Sequence, residues 1–266
     1  MPNVTESERM LKYLLILLSL LLALAIWYRA AAATEGPILL YDEGHGQQFV
    51  AGGTGPLDLS EFSAILRGQG LVPRSHIGPF DDAALAGVSA LIVSGPFVPF
   101  AEGEIAALRR FVEGGGTLVV MLHVGPPLAG MLHAFGVDFS NGVIRETADL
   151  LGDEPLNFRV TRLESHPLFA GLDAFGLYGG WALVNFDEGS WIIARTGPQA
   201  WIDLNGDRRA NPGDAVQSFG VVVAGELGRG RFLVFGDDGL FQNRFLDEEN
   251  RRLAANLGRW LVAGRP

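Results

Sequence analysis

Polar side chains follow several apolar, strand-like segments of this chain, at the points where those segments end. They are Asp42, Glu43, His45, Ser94, His123, Asp237 and Asp238, with Asn243 a few residues after the last pair. In a parallel sheet the carboxyl ends of the strands share one edge, and ligands bind in the crevice there. The sequence therefore predicts a single ligand-binding edge formed by these side chains.

The segments 42–45 and 237–243 are expected to meet at this edge, although they are far apart in sequence. Right-handed crossovers place the ends of parallel strands on the same side of a sheet. Carboxylates that approach each other repel unless a cation, a donor or a shared proton intervenes. We therefore expect at least one of them to have a raised pKa or a bound donor, and His45 and Asn243 are the donors within reach.

The residue types leave two interpretations of this edge open. His45 and His123, with Asp237 or Asp238, could hold a divalent metal or act as an acid–base pair, as in a metal-assisted hydrolase acting outside the membrane. Asp and Asn at strand ends, however, more often cap turns and helix N-termini. No residue is assigned a catalytic role, and binding of a ligand or a protein is the function that the edge predicts.

A second group of oxygen-bearing side chains lies between residues 203 and 214. Asp203, Asn205, Asp207 and Asp214 occupy positions 1, 3, 5 and 12 of a calcium-binding loop of the EF-hand type. Arg208 stands where that loop requires Gly, and Asp214 replaces the bidentate Glu. The pattern favours a plain turn rich in Asp and Asn, with a bound calcium ion as the alternative. No other cofactor is predicted.

Strand-like and helix-like segments alternate in the first half of the chain, which is typical of a parallel α/β sheet. Apolar runs predict strands at 37–41, 71–76, 90–94 and 117–122, and helical spacing predicts helices at 58–69 and 102–113. The run Gly114-Gly115-Gly116 is a strong signal for the end of the second helix. We expect a flavodoxin-like, doubly wound, mostly parallel sheet.

After Phe135 the pattern changes to short aromatic or β-branched segments divided by turns. Additional strands, some of them antiparallel, are predicted near 157–162, 181–185, 191–194, 200–203 and 219–226, before a last strand at 231–235. Asp247 is expected to N-cap a closing helix that turns Leu253, Leu257 and Trp260 inward. Residues 34–266 are therefore expected to form one α/β domain.

The order of several motifs resembles that of class I glutamine-amidotransferase-like domains. These motifs are Asp42-Glu43-Gly44-His45-Gly46, Ser94-Gly95-Pro96 and the segment 112–116. The chain more closely resembles a membrane-anchored branch of that superfamily, related to auxiliary proteins of gliding-motility ABC transporters and to the N-terminal domain of an intraflagellar transport protein. The segments 166–171, 179–180, 228–231 and 236–238, with Asn243, carry this closer resemblance. It implies an auxiliary role in a transporter-type membrane assembly, with protein partners.

One position separates the chain from the catalytic members of that superfamily. Amidotransferases carry Cys in the turn after the strand that 117–122 matches, whereas this chain has His123-Val124-Gly125 and no cysteine at all. A nucleophile elbow needs Ser, Cys or Thr at that turn, close to a base. Cysteine-dependent amidotransfer is therefore excluded, and a non-catalytic domain that binds a ligand or a protein is expected.

Composition and the N-terminal segment bear on partners and location. The net charge of -10 and the scattered Arg residues argue against nucleic acid as a partner. From Leu14 to Trp27 the only residue that is not apolar is Ser19, and Arg9 and Lys12 precede the run. Residues 1–33 therefore predict a single-pass transmembrane anchor with the bulk of the chain outside the cytoplasm. A signal peptide cleaved after residues 31–33 is the alternative.

Overall fold

The computed structural model describes residues 36–263 and, in the N-terminal segment, Leu15, Ile16, Leu18 and Ser19. The predicted anchor lies outside the described residues, apart from these four. In the part of the chain that is described, no helix combines the length and the apolar character needed to cross a membrane. The described residues from Pro37 onwards form one compact unit.

The first half of the domain supplies four strands that lie parallel to one another. They are β1 (Ile38–Asp42), β2 (Val72–His76), β3 (Val88–Ser94) and β4 (Thr117–Met121), with α1 (Ser60–Gly68), α2 (Glu102–Glu113) and α3 (Ala129–Ala134) between or after them. The prediction of parallel strands alternating with helices is confirmed here. The short helix α3 was not predicted, because its apolar spacing covers less than two turns.

The second half of the domain is predominantly antiparallel. Its strands are β5 (Val137–Arg145), β6 (Asn157–Val160), β7 (Arg162–Leu163), β8 (Phe175–Tyr178), β9 (Trp181–Asn185), β10 (Ser190–Arg195), β11 (Trp201–Ile202), β12 (Ala215–Val216), β13 (Gly220–Leu227) and β14 (Gly230–Phe235). The helix α4 (Glu248–Val262) closes the domain, and the Asp247 carboxylate caps it by accepting the amide of Asn250. Antiparallel segments after Phe135 are thus confirmed, although β5, β8 and the two-residue β12 were not predicted.

The strand order explains how the two halves join. The main sheet runs β12-β11-β5-β9-β13-β14-β4-β3-β1-β2, and β14 lies parallel to β4 but antiparallel to β13. Five strands are therefore parallel, and the remainder of this sheet extends antiparallel from β13. The sheet has twelve strands, so fewer than half of them are parallel, and the sheet is less parallel than predicted. The strands β6 and β8 form a separate two-stranded sheet.

Alternating side chains of the parallel strands fill two cores on opposite faces of the sheet. Tyr41, Ile92 and Val119 belong to the core that contains α1 and α4, whereas Leu40, Leu91 and Val120 belong to the core that contains α2 and α3. Both faces of these strands are covered, which accounts for their continuous apolar sequences. The polar residues that follow these strands lie at the carboxyl edge of the sheet, and Asp42, His45, Ser94, Asp237 and Asp238 are buried there.

Candidate functional site

The ends of β1, β3, β4 and β14 lie side by side at the carboxyl edge of the sheet. Asp42 ends β1, Ser94 ends β3, His123 lies two residues beyond β4, and Asp237 lies two residues beyond β14. Because β14, β4, β3 and β1 are successive neighbours and parallel, the segments 42–45 and 237–243 occur at the same edge, as predicted. Their polar side chains, however, form two separate groups rather than one.

The first group is centred on His45, which is 5% exposed. Its Nδ1 lies 2.9 Å and 3.0 Å from the two carboxylate oxygens of Asp42, and its Nε2 lies 3.2 Å from Oε1 of Glu104. The ring stacks on Phe100 at a centroid separation of 3.8 Å and faces Phe80 at 5.9 Å. The histidine therefore joins the turn after β1 to the first turn of α2.

Both carboxylates of this group accept further hydrogen bonds. Asp42 accepts the backbone amide of Gly44 and the side-chain amide of Gln47. Glu104 accepts the amides of Phe80 and Ala101, each at 2.9 Å. Burial alone would lower the pKa of His45, but its hydrogen bonds to Asp42 and Glu104 outweigh burial and raise it. Every polar atom that faces the imidazole is thus paired within the protein, which is typical of a structural cluster.

The second group is centred on His123, whose side chain is 36% exposed. Its Nδ1 lies 3.0 Å from Oδ1 of Asp238, a side chain that is almost completely buried. The hydrogen bond to Asp238 raises the pKa of His123. The rings of Phe49 and Phe97 lie 5.2 Å and 5.7 Å from the imidazole. A half-exposed imidazole is therefore held by one carboxylate and flanked by two apolar rings.

Asp237 lies next to this pair and is completely buried. Its two oxygens accept the backbone amides of Tyr178 and Gly239, at 2.7 Å and 2.8 Å. Burial, and then the neighbouring carboxylate of Asp238, raise the pKa of Asp237 to about 8. The expectation that at least one carboxylate of this edge has a raised pKa or a bound donor is met by Asp237, whose pKa is raised, and by Asp238, which is bonded to His123.

Two buried polar atoms at this place have no hydrogen-bond partner among the described residues. They are Oδ2 of Asp238 and the hydroxyl oxygen of Ser94. Gly95 leaves room for the carboxylate, because a Cβ at that position would lie 2.6 Å from Oδ2 of Asp238 and 2.9 Å from Cβ of His123. The second group is therefore incompletely paired, unlike the first.

Two other predicted residues have local roles instead. Asn243 does not reach the carboxylates of the edge: its side chain donates to the carbonyl of Gly55 and the hydroxyl of Ser60, and it accepts the amide of Glu61. The prediction that Asn243 is a donor for those carboxylates is therefore wrong, because the turn after β14 leads it towards the start of α1. Glu43 accepts the amide of Ala51 and holds the loop after β1.

The side chains of the segment 203–214 are engaged with the turn itself. Asp203 accepts the amides of Gly206 and Arg208, and Asp214 accepts those of Leu204 and Asn211. Asn205 and Asp207 accept the amides of Asp207 and Arg209. Across the described residues, no three His, Cys, Asp or Glu side chains are grouped so that they could hold a metal ion. Calcium binding by this loop stays a prediction.

Three residues at this edge were missed by reasoning from the sequence. Glu104 binds His45 from a helix 59 positions away, and the aromatic residues Phe49 and Phe97 flank His123. Glu104 lies in the first turn of α2, where an acidic residue is ordinary, so its position carries no signal for a contact with His45. The aromatic residues carry no local signal, since an isolated Phe in a loop is common.

The fold has known counterparts among solved structures. The mmIFT52 N-terminal domain superimposes with a TM-score of 0.68 at 18% identity, covering 86% of this chain and 99% of that one. A Thermoplasma acidophilum protein, provisionally assigned as part of a GMP synthase, gives a TM-score of 0.51 at 11% identity and covers 86% and 94% of the two chains. At these identities the similarities show the fold alone.

Sequence comparison places the chain in a family. None of the curated proteins with which it was compared matches. The model of one family, described as a domain of unknown function, matches residues 54–257, which include α1, the strands β2 to β14 and both His123 and Asp238. The chain therefore belongs to the DUF4350 family.

Proposed function

We propose that this chain is a non-catalytic binding domain of the class I glutamine-amidotransferase-like superfamily, held at a membrane by its N-terminal apolar segment. Its bulk lies outside the cytoplasm, and it serves as an auxiliary component of a transporter-type assembly with protein partners. The motif order supports the superfamily assignment, as does the flavodoxin-like order β2-β1-β3-β4-β14 of the parallel strands. Residues 14–27 support the membrane anchor.

The observation that carries the non-catalytic interpretation is the turn after β4. His123 stands where an amidotransferase has its nucleophile, and its Nδ1 is bound to Asp238. Ser94 is the hydroxyl at the end of the neighbouring strand, yet it has no hydrogen-bond partner among the described residues and so is not activated by His123. Covalent catalysis needs a nucleophile bonded to its base. A partly exposed imidazole flanked by two phenylalanine rings is better suited to binding a ligand or a protein than to catalysing a reaction.

A metal-assisted hydrolase is the second candidate. The observation that favours it is the pairing of His123 with Asp238 beside Asp237, whose raised pKa resembles that of an acid–base residue. The arrangement of the histidines counts against it, because His45 is bound by Asp42 and Glu104 whereas His123 is bound by Asp238. The two imidazoles therefore do not converge on one position through these contacts.

Activity measurements distinguish the two candidates. Full-length protein would be tested with ester, amide, phosphate and glycoside substrates, alone and with Zn²⁺, Mn²⁺ or Mg²⁺. The proposal expects no turnover above background and no difference between the wild type and His123→Ala. Turnover that disappears in His123→Ala and Asp238→Asn, while both variants remain folded, would establish the hydrolase instead.

Membrane attachment is tested separately. Full-length protein should stay in the membrane pellet after carbonate extraction, and protease added from outside the cytoplasmic membrane should digest the domain. A protein that starts after Ala33 and fractionates as soluble would replace the anchor by a cleaved signal peptide. Migration of the wild type as a complex larger than its own 28.5 kDa in native electrophoresis would support the auxiliary role.

A further inference from the structure

The two nitrogens of the His45 imidazole contact carboxylates from two different elements. Nδ1 lies 2.9 Å and 3.0 Å from the oxygens of Asp42, at the end of β1, and Nε2 lies 3.2 Å from Oε1 of Glu104, in the first turn of α2. A neutral imidazole carries one N–H donor and one lone pair, whereas an imidazolium ion carries two donors. Ionised carboxylates can only accept. Both carboxylates can therefore be bonded at once only when the ring is charged.

Asp42 and Glu104 are held in the ionised form by other donors. Each of their carboxylate oxygens accepts an N–H group that does not belong to the imidazole. These groups are the backbone amides of Gly44, Phe80 and Ala101 and the side-chain amide of Gln47. Hydrogen bonds to the charged form of a carboxylate favour that form. The proton of the cluster therefore belongs to the imidazole, and His45 is the group that releases it.

The surroundings of the ring supply no further charge. Phe100 stacks on the imidazole at a centroid separation of 3.8 Å, and Phe80 lies 5.9 Å away. The neighbouring His76 contacts Phe80 rather than His45, and its Nε2 is bonded to the carbonyl of Pro79. Among the described residues, only Asp42 and Glu104 form ion pairs with this imidazole. The charge of His45 is therefore set by these two carboxylates.

The loop between β3 and α2, residues 95–101, is attached to this cluster. We call it the β3–α2 loop. The backbone amides of Phe97 and Val98 both donate to the carbonyl of His45, each at 2.9 Å. The ring of Phe100, in the same loop, stacks on the imidazole. The backbone and the side chain of one histidine therefore both hold this loop in place.

Loss of the proton from His45 leaves a lone pair that faces one of the two carboxylates. Asp42 lies three residues from His45 and contacts Nδ1 with both oxygens, whereas the contact of Nε2 with Glu104 is the longer one. The bond to Glu104 is therefore the one that breaks. Glu104 also accepts the amide of Ala101, the last residue of the β3–α2 loop. The two ends of the loop attachment are then no longer joined to each other.

From these contacts we infer that the His45 imidazolium is a pH-sensitive latch for the β3–α2 loop. The charged ring holds the loop against the turn after β1, and loss of its proton to solvent releases the loop. Phe97 of this loop lies 5.7 Å from the ring of His123. Release therefore alters the surface beside His123, and this last step alone rests on the proposed binding function.

Hydrogen–deuterium exchange of full-length protein, measured by mass spectrometry over a range of pH, tests the latch. Burial lowers the pKa of His45, but the hydrogen bonds to Asp42 and Glu104 outweigh burial and raise it above its ordinary 6.5. The change is therefore expected on the alkaline side of pH 6.5. After correction for intrinsic exchange, the protection of the amides of Phe97 and Val98 should fall about tenfold, because a hydrogen bond between charged groups is lost. The strand β4 is the internal reference and should not change.

Two variants of the cluster should abolish this pH dependence. In His45→Gln the titrating group is absent, so the protection of the β3–α2 loop should be low and the same at every pH. In Glu104→Gln the amide side chain can donate to a neutral ring or accept from a charged one. The fall in protection should then be less than about twofold. Far-UV circular dichroism would show whether each variant is folded, and a folded Glu104→Gln protein is sufficient for the test.

His123→Ala is the matched control. His123 is a second histidine of the same edge, it is bonded to Asp238, and this bond raises its pKa. Its removal should leave the tenfold fall in place, since His123 makes no contact with the latch that holds the loop. No fall in the wild type, a fall that persists in a folded variant of the cluster, or a fall that disappears in His123→Ala would overturn the inference. Failure of membrane attachment, or hydrolytic turnover, would refute only the proposed function.

Discussion

The two histidines of the carboxyl edge differ in how completely they are paired. Both ring nitrogens of His45 face carboxylates, and the ring stacks on Phe100, with Phe80 beside it. His123 has only Nδ1 bonded, to a carboxylate whose other oxygen has no partner among the described residues. Full pairing makes a histidine part of the architecture, whereas partial pairing leaves capacity for something external. The same residue type at the same edge is therefore paired in two different ways.

The largest expected effect is that of His45→Ala. Removal of the imidazole leaves the buried carboxylate of Asp42 and the Glu104 carboxylate without their shared partner, and it removes the ring that stacks on Phe100. We expect a loss of about 3 kcal/mol in the free energy of unfolding. Urea denaturation followed by tryptophan fluorescence measures it. If His45→Ala lowers the free energy of unfolding no more than His123→Ala does, the two histidines do not differ in their contribution to stability.

Gly95→Ala is expected to have the next largest effect and to act on the His123 site alone. The residue has a φ of 52°, and the new methyl group would collide with Asp238 and His123. We expect a destabilisation of about 2–3 kcal/mol from backbone strain and collision together. Gly87→Ala is the control, because Gly87 has a φ of 75° in open space. Equal effects of the two variants would show that Asp238 does not fill this space.

The pH dependence of stability sharpens the comparison further. The pKa of Asp237 is raised to about 8 from its ordinary 3.8. A carboxyl group with a raised pKa in the folded state contributes stability at low pH, and this contribution is lost as pH rises from about 4 to 8. In Asp237→Asn we expect the decline between about pH 5 and 8 to be smaller by on the order of 2 kcal/mol. An unchanged slope would mean that Asp237 titrates normally.

The smallest expected effect on stability is that of His123→Ala. The imidazole is partly exposed, and the carboxyl group of Asp238 is able to take up a proton when its partner is removed, because burial raises its pKa. We expect a loss of about 1 kcal/mol or less. The same denaturation series as for His45→Ala provides the measurement. A decrease of more than about 3 kcal/mol in the free energy of unfolding would show that His123, like His45, stabilises the fold.

Much of the fold was predictable from local sequence. The helix at 102–113 and the strand at 181–185 have the predicted bounds, and β1, β3, β4 and β14 differ from prediction by one or two residues. Their apolar runs are continuous and end in Gly or polar residues. Three strands were missed: β5 contains Asp138, Ser140 and Asn141 in a nine-residue strand, β8 begins and ends beside turns, and β12 has only two residues.

Part of the candidate site was equally predictable. A polar residue directly after a parallel strand must lie at the carboxyl edge, so His123, Asp237 and Asp238 were identifiable from position alone. Their pairing was not, because it depends on which loops return to that edge. Asn243 illustrates this limit: it follows Asp237 closely in sequence, yet the turn between them carries it to the start of α1.

The sequence by itself determined the alternation of strands and helices, the absence of a cysteine nucleophile and the position of the polar residues at one edge. These properties follow from local periodicity and residue type. Only the tertiary structure decided that His45 is enclosed and His123 is open. The reason is physical: enclosure of His45 requires Glu104 and Phe100 from beyond β3, and contacts between distant segments leave no periodic trace in the chain.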